Sequence, residues 1–260
     1  MGMTLKEVCT LKTSGEKIAA LTCYDASFAA LMEKAGMDML LVGDSLGMVL
    51  QGSGDTLGVT MQDMAYHTRC VAQGAKTSLI AADLCVGSDR TPEQALENAR
   101  ILLAAGAHLI KLEGGKTDVV RHLVDNGVAV CGHLGFTPQS VRELGGYKVQ
   151  GKDEAGAQKI LEDALALQQA GACMLVLEMV PAALARHITA ELAIPTIGIG
   201  AGVGCDGQVL VLQDMLGIYP GKTPKFARNF MLGLDSVQAA LAEYVKSVKD
   251  GSFPAARHSF

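Results

Sequence analysis

Ionisable residues recur in this chain where short apolar runs break off. Tyr24-Asp25 follows IAALTC, Asp44-Ser45 follows MLLVG, and Asp83 closes SLIAAD. Lys111 and Glu113 lie in HLIKLE, His133 closes VAVCGH, and Glu178 closes CMLVLE. One carboxylate after an apolar run is often only the N-cap of the next helix. Six successive run ends with an ionisable group are harder to explain that way. Asp44, Asp83 and Glu113 together offer hard oxygen donors, the set that suits Mg²⁺ or Mn²⁺ and not zinc. Lys111 stands two residues before Glu113, so in a strand both side chains take the same face. A lysine there can hold an acidic substrate, form a Schiff base or make a structural ion pair. His133 has the position to donate a hydrogen bond or move a proton. Glu178 leaves a buried run, so its carboxylate is placed for the partial desolvation that a general base needs.

These residues converge only if the apolar runs are strands of one closed sheet. Eight runs read as strands: Ile18–Cys23, Met39–Gly43, Ser78–Asp83, His108–Glu113, Val128–His133, Cys173–Glu178, Pro195–Ile199 and Val209–Gln213. Their continuous apolar character fits strands buried on both faces, as in a parallel sheet. Helical stretches alternate with them. TPEQALENARILLAAG places Thr91 as N-cap, Pro92 at the first helical position and Gly106 just past the end. DEAGAQKILEDALALQQAG ends likewise at Gly171, and PAALARHITAEL begins at Pro181. Eight such units within 260 residues predict an α/β fold, a (β/α)₈ TIM barrel forming one domain over 1–260. A doubly wound sheet is the alternative, but it rarely needs eight parallel strands. The first ten residues are expected as an extra helix or arm, and Gly251–Phe260 as a loose tail. In a barrel the six polar run ends ring one mouth, where chemistry sits in this fold.

Composition removes other classes. Apolar residues make up 49%, aromatics 4% and charged residues 19%, with a net charge of −5 and no basic cluster. A nucleic-acid interface is therefore not expected. Seven cysteines, an odd number without any C-x-x-C pair, argue against a disulfide framework or zinc ribbon. Reduced thiols, a start (MGMTLKEVCT) without an apolar signal core, Lys6 where a myristoylation signal needs Ser or Thr, and no membrane-length run predict a soluble cytoplasmic protein. Two motifs are decoys. GIGAGVGCDG matches G-x-G-x-x-G, but an apolar run follows it where a dinucleotide site needs a helix; anion binding or close backbone approach are its open readings. Gly217–Thr223 is one residue short of a Walker A loop and carries Pro220. Gly145-Gly146-Tyr147-Lys148 marks a long loop, either a lid or a plain connection.

Taken together, VGDSLGMVLQG, AADL, IKLEGG, VCGHLGFTPQS, GGYKVQG, LVLEMVP, IPTIGIGAGVGCDGQVLV and PKFARNF resemble the ketopantoate (3-methyl-2-oxobutanoate) hydroxymethyltransferase family. The resemblance runs in order from about Ile18 to Phe230 and drifts at the termini and over Gly115–Gly127. It implies a barrel of the phosphoenolpyruvate mutase/isocitrate lyase type, assembled as a homodecamer, acting in pantothenate synthesis. It implies one Mg²⁺ per subunit on Asp44 and Asp83, with Glu113 completing the metal site. Asp44, Ser45, Asp83, Lys111 and His133 are implied as contacts of the 2-oxo acid, and Glu178 as the base. The implied co-substrate is 5,10-methylenetetrahydrofolate. Two rivals remain: a Mg²⁺-dependent C–C or P–C lyase or mutase on the same barrel, and a non-catalytic barrel that binds a chelated oxo acid. GGYKVQG and PKFARNF favour the transferase over the first, and the intact run-end residues argue against the second.

Overall fold

The computed structural model describes residues 4–260. Eight strands close into an all-parallel barrel in sequence order: β1 (Ile18–Thr22), β2 (Met39–Val42), β3 (Leu79–Asp83), β4 (Leu109–Glu113), β5 (Val130–Gly135), β6 (Met174–Glu178), β7 (Thr196–Ile199) and β8 (Gly207–Leu210). The helices are α1 (Leu5–Ser14), α2 (Ala26–Lys34), α3 (Leu46–Val49), α4 (Met61–Gly74), α5 (Pro92–Ala104), α6 (Thr117–Asp125), α7 (Glu154–Gln169), α8 (Ala182–Glu191), α9 (Leu212–Leu216) and α10 (Val237–Lys249). Strand residues are almost all buried, because each strand faces the barrel interior on one side and a helix on the other. Thr91 accepts from the Gln94 amide with Pro92 at the first helical position, as the sequence predicts. Among the described residues no helix is long and apolar enough to cross a membrane.

Three expectations need correction. The strand expected at Val209–Gln213 is Gly207–Leu210, and Leu212–Leu216 is helical. Periodicity cannot separate a buried strand from a buried helical turn in a run such as VLVLQ. Here the Leu212 amide donates to Thr22 Oγ1 at 2.9 Å, which starts the turn. β5 continues two residues beyond His133, so the imidazole projects from within the strand. The tail is packed and not loose: Phe253 is buried against Phe230, with ring centroids 5.4 Å apart. The Ala182 amide donates to the Phe260 carbonyl at 2.8 Å, fixing the tail beside β6. The extra N-terminal helix is present as α1, although residues 1–3 of the expected ten lie outside the described residues. It sits at the N-terminal ends of β7 and β8, where Lys12 Nζ meets Asp206 Oδ2 at 2.8 Å.

Gly135 ties the fold to the polar mouth. It ends β5 at φ 92°, and an added Cβ would collide with the carbonyl of Glu178, its partner in β6. No L side chain fits that conformation and that space together. We expect Gly135→Ala to lower unfolding free energy by about 1–3 kcal/mol, as overpacking does, in urea denaturation followed by circular dichroism. Unchanged stability would contradict this packing.

Candidate active site

Strand register explains how the polar residues meet. Asp83 pairs with Lys111 across β3 and β4, and Lys111 Nζ donates to Asp83 Oδ1 at 2.7 Å with both side chains buried. Glu113 pairs with His133 across β4 and β5, leaving Glu113 Oε1 3.5 Å from Nδ1. Glu178 lies one pleat beyond His133 on β6, with Oε2 3.3 Å from Nε2. Neither imidazole nitrogen makes a hydrogen bond among the described residues, so both contacts are approaches and not bonds. Asp44 follows β2, and its amide donates to Asp83 Oδ2 at 3.2 Å. Tyr24 and Ser45 share a hydroxyl hydrogen bond of 2.9 Å. All seven expected site residues, Asp44, Ser45, Asp83, Lys111, Glu113, His133 and Glu178, line one cavity of about 680 Å³. Asp25, by contrast, caps α2 through the Phe28 amide, the ordinary role of a carboxylate after a strand.

Gln139, which no spacing signal picks out, braces the carboxylates. Its side-chain amide donates to Asp44 Oδ2 at 2.8 Å and to the Leu84 carbonyl at 2.9 Å, and its backbone amide donates to Glu113 Oε2 at 3.0 Å. Tyr147 of the GGYK loop stacks on Phe136 at 4.9 Å and lines the cavity, so this loop roofs the site. Met179, directly after Glu178, has φ 47°, a left-handed conformation that costs a side-chain-bearing residue about 1–2 kcal/mol. The glycine-rich segment is a close-packing device: a Cβ on Gly202 would lie 2.6 Å from Ala182 Cβ, and one on Gly207 2.5 Å from the Ile18 carbonyl. Gly217–Thr223 leads into no helix that could support a phosphate loop.

Charge is out of balance here. Asp44, Asp83, Glu113 and Glu178 face the cavity, and Lys111 is its one buried cation among the described residues. Burial, reinforced by Asp83 and Glu113, holds the Asp44 carboxyl well above the usual carboxylate range. Burial likewise pushes Glu113 up to about 7. Burial alone would lower Lys111, but its three carboxylate neighbours outweigh that and hold it protonated. Burial and then Lys111 push His133 down, leaving a neutral imidazole at neutral pH. Burial raises Glu178, with His133 acting in the opposite direction.

This donor set fits a hard divalent cation. Among the described residues no three His, Cys, Asp or Glu side chains form a closed ligand cage. Mg²⁺ needs none, because it keeps several waters and takes one or two carboxylates together with substrate oxygens. Asp44 and Asp83, on neighbouring strand ends, are placed for that, while Glu113 turns toward Gln139 and His133.

The family model described as ketopantoate hydroxymethyltransferase matches residues 2–256. Proteins named 3-methyl-2-oxobutanoate hydroxymethyltransferase from Methylobacillus flagellatus and Thiobacillus denitrificans are 59% and 58% identical to the chain. They are aligned over 99% and 100% of it, and over 100% of their own lengths. Among solved structures, a putative phosphonomutase from Burkholderia cenocepacia superposes with TM-score 0.66 at 18% identity, covering 83% of this chain and 96% of that one. A phosphonopyruvate hydrolase in complex with oxalate and Mg²⁺ superposes with TM-score 0.63 at 13% identity, covering 94% and 96%. At such identities these structures bear on the fold alone, the closed parallel (β/α)₈ barrel.

A cation that binds only the folded site stabilises it by mass action, by about 2.7 kcal/mol at a hundredfold excess over its Kd. Mg²⁺ is expected to raise the melting temperature of the EDTA-treated protein, and Asp44→Ala and Asp83→Ala to abolish that rise while circular dichroism stays native. A Mg²⁺-dependent rise that persists in both variants would remove these carboxylates from the metal site.

Proposed function

We infer that this chain, which belongs to the ketopantoate hydroxymethyltransferase family, takes its one-carbon unit from 5,10-methylenetetrahydrofolate. With water, it transfers that unit as a hydroxymethyl group to 3-methyl-2-oxobutanoate, giving 2-dehydropantoate and tetrahydrofolate in pantothenate biosynthesis. The enzyme is a 3-methyl-2-oxobutanoate hydroxymethyltransferase, the activity named for its full-length relatives. Full-length identities of 58–59% to hydroxymethyltransferases, against 12–18% to the mutases and lyases of the same fold, favour the transferase over a lyase or mutase. The complete set of charged mouth residues argues against a non-catalytic binding barrel.

Asp44 and Asp83 hold the divalent ion in this reading, with Glu113 behind them. When bound, the ion supplies positive charge to the carboxylate and keto oxygens of the 2-oxo acid and so acidifies C3. Lys111, fixed by Asp83, adds a second positive charge for the substrate carboxylate. Ser45, held by Tyr24, offers a hydroxyl to the same end of the substrate. Glu178 takes the C3 proton; its side chain is 13% exposed and no lysine or arginine pairs with it among the described residues. That observation carries the assignment, because a carboxylate already tied to a cation makes a poor base. The neutral imidazole of His133 stands between Glu178 and Glu113, 3.3 and 3.5 Å from their carboxylates. The resulting enolate carbon bonds to the one-carbon unit as both its C–N bonds to the folate break. Water supplies the hydroxyl oxygen, its two hydrogens end on N5 and N10 of tetrahydrofolate, and the proton taken by Glu178 goes to the new hydroxyl. General base catalysis of this kind contributes roughly 10²–10⁴ in rate.

We further propose that the protein is cytoplasmic and assembles as a homodecamer. Large apolar side chains left in solvent by the single chain support an assembly: Leu232 is 78%, Ile218 60% and Tyr66 58% exposed. Light scattering is expected to give an oligomer at micromolar concentration, and a stable monomer would contradict it.

The proton-transfer assignment separates from one-carbon transfer in D₂O. Wild type with Mg²⁺ is expected to exchange the C3 hydrogen of 3-methyl-2-oxobutanoate, followed by NMR. Glu178→Gln should bind Mg²⁺ and the oxo acid yet exchange roughly 10² slower or worse. Exchange at the wild-type rate would move the base elsewhere, with His133 the next candidate. The pH dependence has a fixed sign. The base must be ionised, and burial raises its carboxyl above the ordinary 4.5, so exchange should fall with decreasing pH at a limb above pH 4.5. A limb at or below that value would contradict a desolvated Glu178.

A further inference from the structure

The cavity extends beyond the carboxylate arc. It runs from the ends of β2–β4 across the mouth to the end of β8, which lies opposite β4 in the closed order of strands. Asp214 stands there on α9, immediately after β8. It lines the cavity at 7% exposure, and its Oδ1 is enclosed with no hydrogen-bond partner among the described residues. A buried acceptor left empty costs stability, so a retained one is placed for a donor from outside the chain. Burial pushes its carboxyl up to about 6, so the carboxylate form prevails at neutral pH. The cavity is also lined by Ile199, Val211, Phe226 and Phe260, together with Lys222 and with Lys225, whose Nζ lies 4.7 Å from the Phe260 ring centroid. A planar heterocycle with an apolar face and a polar edge matches this combination of wall and acceptor.

We propose that Asp214 receives the amino–amide edge of a 2-amino-4-oxopteridine ring and so seats the one-carbon donor. The proposal rests on the reading that this donor is a reduced folate. The 2-amino group and N3–H of that ring are parallel donors spaced for the two oxygens of one carboxylate, a charge-assisted pair. A ring seated at β8 lies across the mouth from the arc that holds the 2-oxo acid, so one cavity accommodates both. Nothing in the first half-reaction needs Asp214, because the C3 proton leaves on the side of Glu178.

Equilibrium dialysis of tetrahydrofolate and its 2-desamino analogue against the full-length Mg²⁺-loaded enzyme tests this. Wild type is expected to prefer tetrahydrofolate by about 10- to 100-fold, the worth of a hydrogen bond to a charged group. Asp214→Asn should lose that preference, and in the full reaction raise KM for the folate at least tenfold while KM for the 2-oxo acid moves less than twofold. The comparison of ligands on wild type stands even where the variant fails to fold. Equal affinity of wild type for the two ligands would overturn the role of Asp214. A wild type that exchanges the C3 hydrogen yet binds neither ligand would overturn the folate reading itself.

Discussion

Asp44, Asp83, Glu113 and Glu178 are held by four strand ends around one buried lysine, and most features of the mouth answer to that arrangement. In water such carboxylates would spread apart, and here the hydrogen-bonded register of a closed sheet prevents it. Lys111 offsets part of the repulsion through Asp83, and the donors of Gln139 offset more at Asp44 and Glu113. The remainder appears as raised carboxyl pKa values, the response of a buried anion without enough partners. Such a site favours a small, doubly charged cation over a further lysine, because the cation leaves room for substrate oxygens in its shell. Stability and function pull against each other at this point. An apolar mouth would be more stable and would do nothing.

The barrel supplies stiffness to the same end. Residues that alternate along a strand put Lys111 and Glu113 on one side of β4, and lateral register brings Asp83 and His133 beside them. Left-handed backbone appears where β5 and β6 leave the barrel, at Gly135 and Met179, on either side of the Glu178 carbonyl. Strain of that kind persists only where the surroundings over-determine it. Here they do: the Met179 amide is bonded to Ile199, and its carbonyl accepts from Gln150. The folded-back tail and the GGYK loop add Phe260 and Tyr147 to the lining of the same cavity.

Much of this was legible in the residues themselves. Continuous apolar runs bounded by Gly, Asp and Thr mark strands of a parallel barrel, and the polar residue closing each run marks its catalytic end. Asp44, Asp83, Lys111, Glu113, His133 and Glu178 come together for that reason. Asp25 obeys the same pattern and yet only caps a helix, which shows that the pattern alone does not assign a role. Gln139 was not legible, because a glutamine in a polar loop carries no periodicity and its three partners are distant in sequence. Asp214 was within reach: it follows VLVLQ directly, so the strand-end rule carried on to the eighth strand points at it. The boundary of β8 was lost because a short buried helix and a buried strand look alike in four apolar residues. Phe253 and Phe260 in the last ten residues signalled that the tail has apolar surface to bury.

In the proposed mechanism the carboxylate arc and Lys111 together present the 2-oxo acid to Glu178 through a divalent ion. Mn²⁺ in place of Mg²⁺ makes this directly observable through paramagnetic relaxation of 3-methyl-2-oxobutanoate labelled with ¹³C at each position. The strongest relaxation is expected at the carboxylate and keto carbons, weaker relaxation at C3 and the methyl carbons, and loss of the effect in the doubly substituted Asp44→Ala, Asp83→Ala enzyme. Relaxation that is uniform along the substrate, or that survives the double substitution, would contradict it.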